Sequence, residues 1–246
     1  MNFKKNLLLV FAVAIVGLMS GCAGITNNPS ETSVVIVGMS NSKAYGTCLG
    51  CDKDVVNMKG ILSPYSKHVT VLTDAQATME NVRNALVQGS QKETMIFYYT
   101  GHGSQKGGGD PSESDKKDEF LCLWDGMFLD NELWSIACGA KGKCMYIIDA
   151  CHSGTMYRSI AEQIDTISRE SRGETPSILC WSGCRDDNES FASKNGGYLT
   201  TVIKNRYNSR YTYSRQWDEI KKSSMLKGQD PTKTQIGKGW NTFVFH

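Results

Sequence analysis

The sequence predicts an α/β protein whose mostly parallel central sheet is covered by helices on both faces. Three observations predict it. Short runs rich in β-branched and aromatic residues recur at 33–39, 68–72, 94–99, 144–148 and 178–182, in the manner of buried parallel strands. Segments with helical spacing lie between them, which is the βαβ signature. The chain has 246 residues, 40% of them hydrophobic, enough for a single domain with one substantial core. Crossovers in such a sheet are right-handed, and sites form at the C-terminal ends of its strands.

The first 21 residues stand apart from that pattern. Lys4 and Lys5 precede an apolar run over 7–19, too short to span a bilayer comfortably and of the length of a signal-peptide core. Met19-Ser20-Gly21-Cys22 follows and resembles the bacterial lipoprotein signal, in which the cysteine is lipidated and becomes the mature N-terminus. An ordinary secretory signal with an incidental cysteine is the alternative. The expected organisation is a signal over 1–21, a polar tether over 22–32 and a folded domain over 33–246. The expected location is a bacterial cell envelope, with the chain anchored to the membrane by lipid on Cys22. Ala23, where an Asp often retains lipoproteins in the inner membrane, favours an outer membrane.

Along the domain, the run at 33–39 reads as the first strand. Val55, Met58, Ile61 and Leu62 give helical spacing over 52–62, stopped by Pro64. A strand over 68–72 and a helix over 78–87 ending at Gly89 follow. The run at 94–99 is a fully apolar third strand. Residues 104–117, rich in Gly, Ser, Asp and Lys, read as a surface loop. A short strand over 120–124 and a helix over 130–137 lead to the fourth core strand at 144–148. The segment 159–176 is polar and charged. A fifth strand over 178–182, helices over 197–207 and 213–223, and a last strand over 242–245 complete the reading.

Lys and Arg number 27 against 25 Asp and Glu, and Lys4 and Lys5 leave with the signal. The mature chain is therefore balanced, and neither nucleic acid nor an anionic surface is an expected partner. There are nine cysteines. Cys48 and Cys51 have redox or zinc spacing, but Cys180 and Cys184 are a poor second ligand pair, so buried or singly paired thiols are expected.

Two segments carry chemistry. Phe97 to Gly103 reads FYYTGHG, and Ile147 to Gly154 reads IIDACHSG. Each is a β-prone run ending in a Gly-rich turn, one with His102 and the other with Cys151. Their separation fits two neighbouring parallel strands joined by a crossover. A free thiol, with a pKa of ~8.5, is mostly protonated at neutral pH and needs a base. His102 is the better base than His152, because adjacent residues in a turn usually point apart. Gly103 leaves its N–H free to face a substrate carbonyl, and with the Cys151 N–H would form an oxyanion hole. A turn histidine and a buried structural thiol are the plainer readings of each residue alone.

These segments resemble the caspase-like cysteine peptidases, and the metacaspases in particular, where a His-Gly dipeptide after one strand and a Cys after the next form the dyad. Leu49 to Met58, with Gly50-Cys51 and Asp54, looks like a further metacaspase segment. So do Asp115 to Glu119 followed by Trp124-Asp125, and Trp181 to Asp187. The resemblance implies a three-layer αβα caspase-like sandwich and a cysteine endopeptidase. It implies His102 and Cys151 as catalytic residues and a primary pocket formed by Cys51, Asp54, Thr100 and Asp149. Caspases that cleave after Asp carry Gln two residues before the nucleophile. Here that residue is Asp149, which would repel an acid and pair with Arg or Lys. Protein or peptide substrates with Arg or Lys before the scissile bond are therefore expected, with the chain acting as a monomer. As structural alternatives, Asp149 would cap the Cys151 turn and Asp54 would favour a helix dipole.

Many metacaspases use calcium. Asp118, Asp125 and Asp130 are oxygen ligands of the suitable kind. Arg158, however, stands where the family often has an acid, so no cofactor is expected. Arg158, Arg169 and Arg172 are candidate sites for self-processing. The alternatives to a basic-specific peptidase are a legumain-like or gingipain-like peptidase of other specificity and a non-catalytic binding lipoprotein on the same fold. The intact pair of His102 and Cys151 argues against the last.

Overall fold

Alternation within each central strand decides the architecture. In the first strand, Val34 and Ile36 pack into one core cluster and Val35 and Val37 into another, and all four are fully buried. The strand is therefore covered on both faces, which requires three layers. This computed structural model describes residues 28–107, 117–154, 156, 176–185, 188–242, 244 and 245. The signal, Cys22 and the arginines at 158, 169 and 172 lie outside the described residues.

In chain order the strands are β1 (Thr32–Gly38), β2 (Asn41–Ser42), β3 (Gly46–Thr47), β4 (His68–Thr73), β5 (Thr94–Thr100), β6 (Gly103–Gly107) and β7 (Lys117–Cys122). β8 (Met127–Leu129), β9 (Lys143–Asp149), β10 (Ser177–Ser182), β11 (Ala192–Ser193), β12 (Gly196–Gly197) and β13 (Thr232–Ile236) follow. The helices are α1 (Cys51–Leu62), α2 (Met79–Gly89), α3 (Asp130–Cys138), α4 (Tyr198–Arg206) and α5 (Tyr213–Lys221). The main sheet has six strands in the order β13-β10-β9-β5-β1-β4. All its pairings are parallel except that of the edge strand β13 with β10. Val82 and Leu86 of α2 and Leu133 and Trp134 of α3 cover one face. Val55 and Met58 of α1, Leu199 and Val202 of α4, and Trp217 of α5 cover the other. Each large apolar side chain so enclosed contributes roughly 1.5–3 kcal/mol of transfer free energy.

Local chemistry sets the helix starts. Thr78 caps α2 by accepting from the Asn81 N–H at 3.2 Å, and Thr212 caps α5 by accepting from Arg215 at 3.3 Å. Pro64 sits at the start of a 3₁₀ turn, Ser63–Tyr65, that ends the first helical segment.

Two sequence expectations give way. Residues 103–107 are not loop but strand β6, which pairs antiparallel with β7 and, through it, with β8. Ser104, Gln105 and Lys106 carry no apolar alternation. Their extended form comes from pairing with β7, whose Phe120 and Leu121 are buried. Among the described residues the last strand is β13, and Thr242, Val244 and Phe245 lie outside any strand. The β13 sequence TKTQI is polar because this strand is a sheet edge. Val244 and Phe245 are apolar because they plug the core: the Phe245 ring lies 6.0 Å from Tyr213 and 5.7 Å from Tyr207.

Candidate active site

The parallel register aligns Thr100 of β5 directly with Asp149 of β9. His102 and Cys151 follow these residues by the same number of positions on adjacent strand ends. Both line one cavity of about 240 Å³, together with Thr47, Cys48, Leu49, Thr100, Asp149, Ser190, Phe191 and Gly197. Thr47 to Leu49 come from the connection after β1, so the cavity opens where strand order reverses across β1, the usual ligand position in such sheets.

His102 Nε2 lies 3.2 Å from the Thr47 carbonyl. A carbonyl only accepts, so Nε2 carries a proton, and in the neutral imidazole it is Nδ1 that offers the lone pair. The His102 carbonyl is held from behind, by the Tyr99 hydroxyl at 2.7 Å and the Cys122 N–H at 3.0 Å. The Cys151 thiol donates to the Ser190 carbonyl at 3.6 Å. Burial pushes this thiol above its ordinary pKa, so it rests as a neutral S–H. Cys151 and His102 are not bonded to each other in this resting arrangement, and transfer of the proton requires the thiol to turn away from Ser190.

Gly103 lies opposite Leu121, while Cys122 N–H donates to His102. This makes Gly103 a non-hydrogen-bonded position of the ladder, and its N–H points away from β7. A Cβ on Gly103 would fall 2.2 Å from the Cys151 carbonyl oxygen. Gly103→Ala is therefore expected to displace the two turns and to lower any reaction that uses His102 and Cys151 together about 100-fold, while the protein stays folded. Unchanged activity with an intact circular dichroism spectrum would contradict this. In the other turn, the left-handed residue is His152, with φ 52, rather than the glycine that follows. Gly154 is needed for close approach: a Cβ there would fall 2.5 Å from Arg185 Cα.

Asp149 is nearly fully buried. Its Oδ1 accepts from the Ser190 hydroxyl at 2.9 Å, and its Oδ2 accepts from the Thr200 N–H and hydroxyl, each at 2.8 Å. Burial still raises its pKa against those three donors. Asp54, one turn into α1, is wholly buried behind Thr100. Its Oδ2 accepts from the Thr100 hydroxyl at 2.9 Å and the Gly197 N–H at 2.8 Å, and Oδ1 has no partner. Burial first, then the Asp149 charge, pushes its pKa up to about 7. Gly196 and Gly197 lie against these carboxylates. A Cβ on Gly196 would fall 2.2 Å from Asp54 Oδ1, and one on Gly197 2.3 Å from Asp149 Oδ2. Such a site, two acids kept uncomfortable by burial and by each other, favours a cation.

Of the residues expected for the pocket, Thr100 and Asp149 line the cavity, and Asp54 reaches it through Thr100. Cys51 is buried at the start of α1 and does not line it; its thiol donates a hydrogen bond to that of Cys48, which does. Cys48 is drawn below its ordinary pKa by this bond. The eight cysteines among the described residues are all free thiols. Asp118, Asp125 and Asp130 are not gathered: Asp125 caps α2 through the Met79 N–H at 2.8 Å, and no group of three metal-ligating side chains occurs among the described residues. Thr47, Ser190, Thr200, Gly196 and Gly197 were not foreseen. Thr47 acts through its carbonyl and the two glycines through their missing Cβ atoms, and the Ser190 and Thr200 hydroxyls meet Asp149 from 41 and 51 residues away, so none of them leaves a local sequence pattern.

A family profile for the caspase domain matches residues 32–220. Metacaspase-3 of Arabidopsis thaliana is 28% identical over 206 residues, covering 68% of this chain and 56% of the relative. Metacaspase-1 of the same plant is 34% identical over 145 residues, covering 50% of this chain and 39% of the relative. The chain thus spans about half the length of these relatives or less. Among solved structures, caspase-1 from Spodoptera frugiperda superposes with a TM-score of 0.62 at 15% identity, over 89% of this chain and 91% of the other. A protein from Geobacter sulfurreducens superposes with a TM-score of 0.67 at 23% identity, over 87% and 98%.

Proposed function

The chain belongs to the caspase-domain peptidase family and is related to the metacaspases, and from that premise we propose that it is a cysteine endopeptidase cleaving after Arg or Lys. The observation that carries the reading is the Thr100–Asp149 register, by which one cavity is lined by a histidine, a thiol and Asp149, with Asp54 buried behind Thr100. The basic side chain of the substrate enters toward Asp149 and Thr100, where Asp54 adds charge from behind. Its arrival stabilises both carboxylates in ionised form.

In the chemical step, the Cys151 thiol leaves the Ser190 carbonyl and gives its proton to His102 Nδ1. The thiolate attacks the scissile carbonyl, and the oxyanion is met by the Gly103 and Cys151 N–H groups. His102⁺, oriented by the Thr47 carbonyl, returns the proton to the leaving amine. Water, deprotonated by His102, then hydrolyses the thioester. Fluorogenic peptides ending in Arg, Lys, Asp or Asn, with and without calcium, test the reading. Turnover after Arg or Lys alone is expected. Turnover only after Asp or Asn overturns the pocket assignment, and none at all favours a binding lipoprotein.

The same proposal includes export and attachment by lipid on Cys22, supported by Lys4, Lys5, the apolar run over 7–19 and Ser20-Gly21 before the cysteine. Expressed in bacteria with labelled palmitate, the full chain should incorporate label and Cys22→Ser should not. Label retained in the variant would remove this part of the reading.

A further inference from the structure

We propose that two adjacent buried tyrosines, Tyr98 and Tyr99, are positioning residues that support the two halves of the site separately. Tyr99 holds His102 for the chemical step, and Tyr98 holds Asp149 for recognition of the basic side chain. The inference rests on the peptidase reading of the site.

Both residues are in β5 and both are fully buried. Successive strand residues face opposite ways, so Tyr99 packs with Val37, Phe97 and Leu121 while Tyr98 packs with Ile36, Met145 and Leu199. Each hydroxyl then finds a different part of the site. The single Tyr99 hydroxyl proton is shared between two carbonyls, that of His102 at 2.7 Å and that of Cys122 at 3.0 Å. It thereby ties the turn bearing the base to the end of β7. A Cβ on Gly101 would fall 2.6 Å from this hydroxyl, so the chain between Tyr99 and His102 is wrapped closely around it. On the other face, the Tyr98 hydroxyl lies 2.6 Å from Thr200 Oγ1. Thr200 spends its single proton on Asp149 Oδ2, so Tyr98 must be the donor to Thr200. The result is a relay, Tyr98 O–H to Thr200 O–H to Asp149, in which each bond polarises the next. Neither tyrosine lines the cavity, so neither touches substrate.

The arrangement contains its own control. Tyr98→Phe and Tyr99→Phe each remove one hydroxyl from a fully buried ring on the same strand. A merely structural role would lower thermal stability and kcat/KM alike in both. The proposal instead expects opposite kinetic signatures with an arginyl peptide. Tyr99→Phe should lower kcat about tenfold with KM unchanged. Tyr98→Phe should raise KM about tenfold with kcat nearly unchanged. A second measurement does not depend on turnover: the rate of Cys151 alkylation by iodoacetamide across pH, followed by peptide mass. Tyr99→Phe should displace that pH profile and Tyr98→Phe should leave it in place. Benzamidine, as a guanidinium-like probe, should protect Cys151 from alkylation in the wild type and less well in Tyr98→Phe. The same signature in both variants, or the reverse assignment, would overturn the proposal. So would a pH profile unmoved by Tyr99→Phe, or the absence of benzamidine protection in the wild type. An absence of wild-type turnover would overturn the peptidase reading instead, with alkylation still deciding the role of Tyr99.

Discussion

Cys151→Ala is expected to abolish cleavage after Arg and Lys, with a loss on the order of 10⁴-fold or more, and His102→Ala to do nearly the same. The two losses should not add. In the proposed mechanism the nucleophile and its base act as a unit, and once either is gone only binding and the oxyanion donors remain. The thiol makes this a strong test. Burial holds Cys151 above its ordinary pKa, so no reactive thiolate is available at neutral pH without a base. Folding should be unaffected in Cys151→Ala, because the lost contact is a single thiol bond to the Ser190 carbonyl. Steady-state rates beside a thermal melt check both statements. Residual cleavage within tenfold of wild type would remove Cys151 from the chemistry.

The second large effect concerns the acids, and here activity and stability should move in opposite directions. Asp149→Asn should lower kcat/KM for an arginyl peptide about 100-fold or more, since a buried charge partner of the substrate is lost. Asp54→Asn should do the same to a smaller degree, because Asp54 reaches the cavity through Thr100. Its effect on stability is the informative one. Asp54 titrates at about 7 in the fold, far above its ordinary value of 3.8. Between roughly pH 4 and 7 the folded chain therefore holds a proton that the unfolded chain releases. Stability falls as pH rises through that window, and the full cost is present above 7. Asn keeps an oxygen for the Thr100 and Gly197 donors and removes the charge. Asp54→Asn is thus expected to melt higher than wild type at pH 8 and equally at pH 4. The wild-type kcat/KM for an arginyl peptide should also gain from Asp54 ionisation as pH rises through about 7, a gain the variant lacks. A variant less stable than wild type at pH 8 would show that the carboxylate is stabilised rather than strained. A charge retained at a stability cost is what a binding site for a cation would require.

Much of this was legible before the structure, for definite reasons. Parallel strands buried on both faces leave long apolar runs, and these located β1, β5, β9 and β10 within a residue or two of their bounds. Sites in parallel sheets lie in the turns after such strands, so His102 and Cys151 could be placed on neighbouring strand ends by their spacing. The shared cavity extends that placement. What escaped was specified by partners rather than by local pattern. β6 is extended because β7 is beside it, and β13 is polar because it is an edge. Apolar residues near position 244 marked a core plug instead of a strand. Within the site, Thr47 acts through its carbonyl and Gly196 and Gly197 through their lack of a Cβ. Cys51, which the family resemblance implies for the pocket, lies buried with its thiol against that of Cys48, one layer from the cavity that Cys48 lines. Pocket membership of that kind depends on the direction of a side chain at a helix start, which spacing does not encode.

The most direct test of the central claim is covalent. The protein over residues 30–246 would be treated with an arginyl acyloxymethyl ketone, and separately with its aspartyl counterpart, then weighed intact and mapped by peptide mass. The account predicts one arginyl adduct on Cys151, slowed by excess arginyl peptide and absent from Cys151→Ala, with no aspartyl adduct. An aspartyl adduct on Cys151, or an arginyl adduct on any other cysteine, would contradict it.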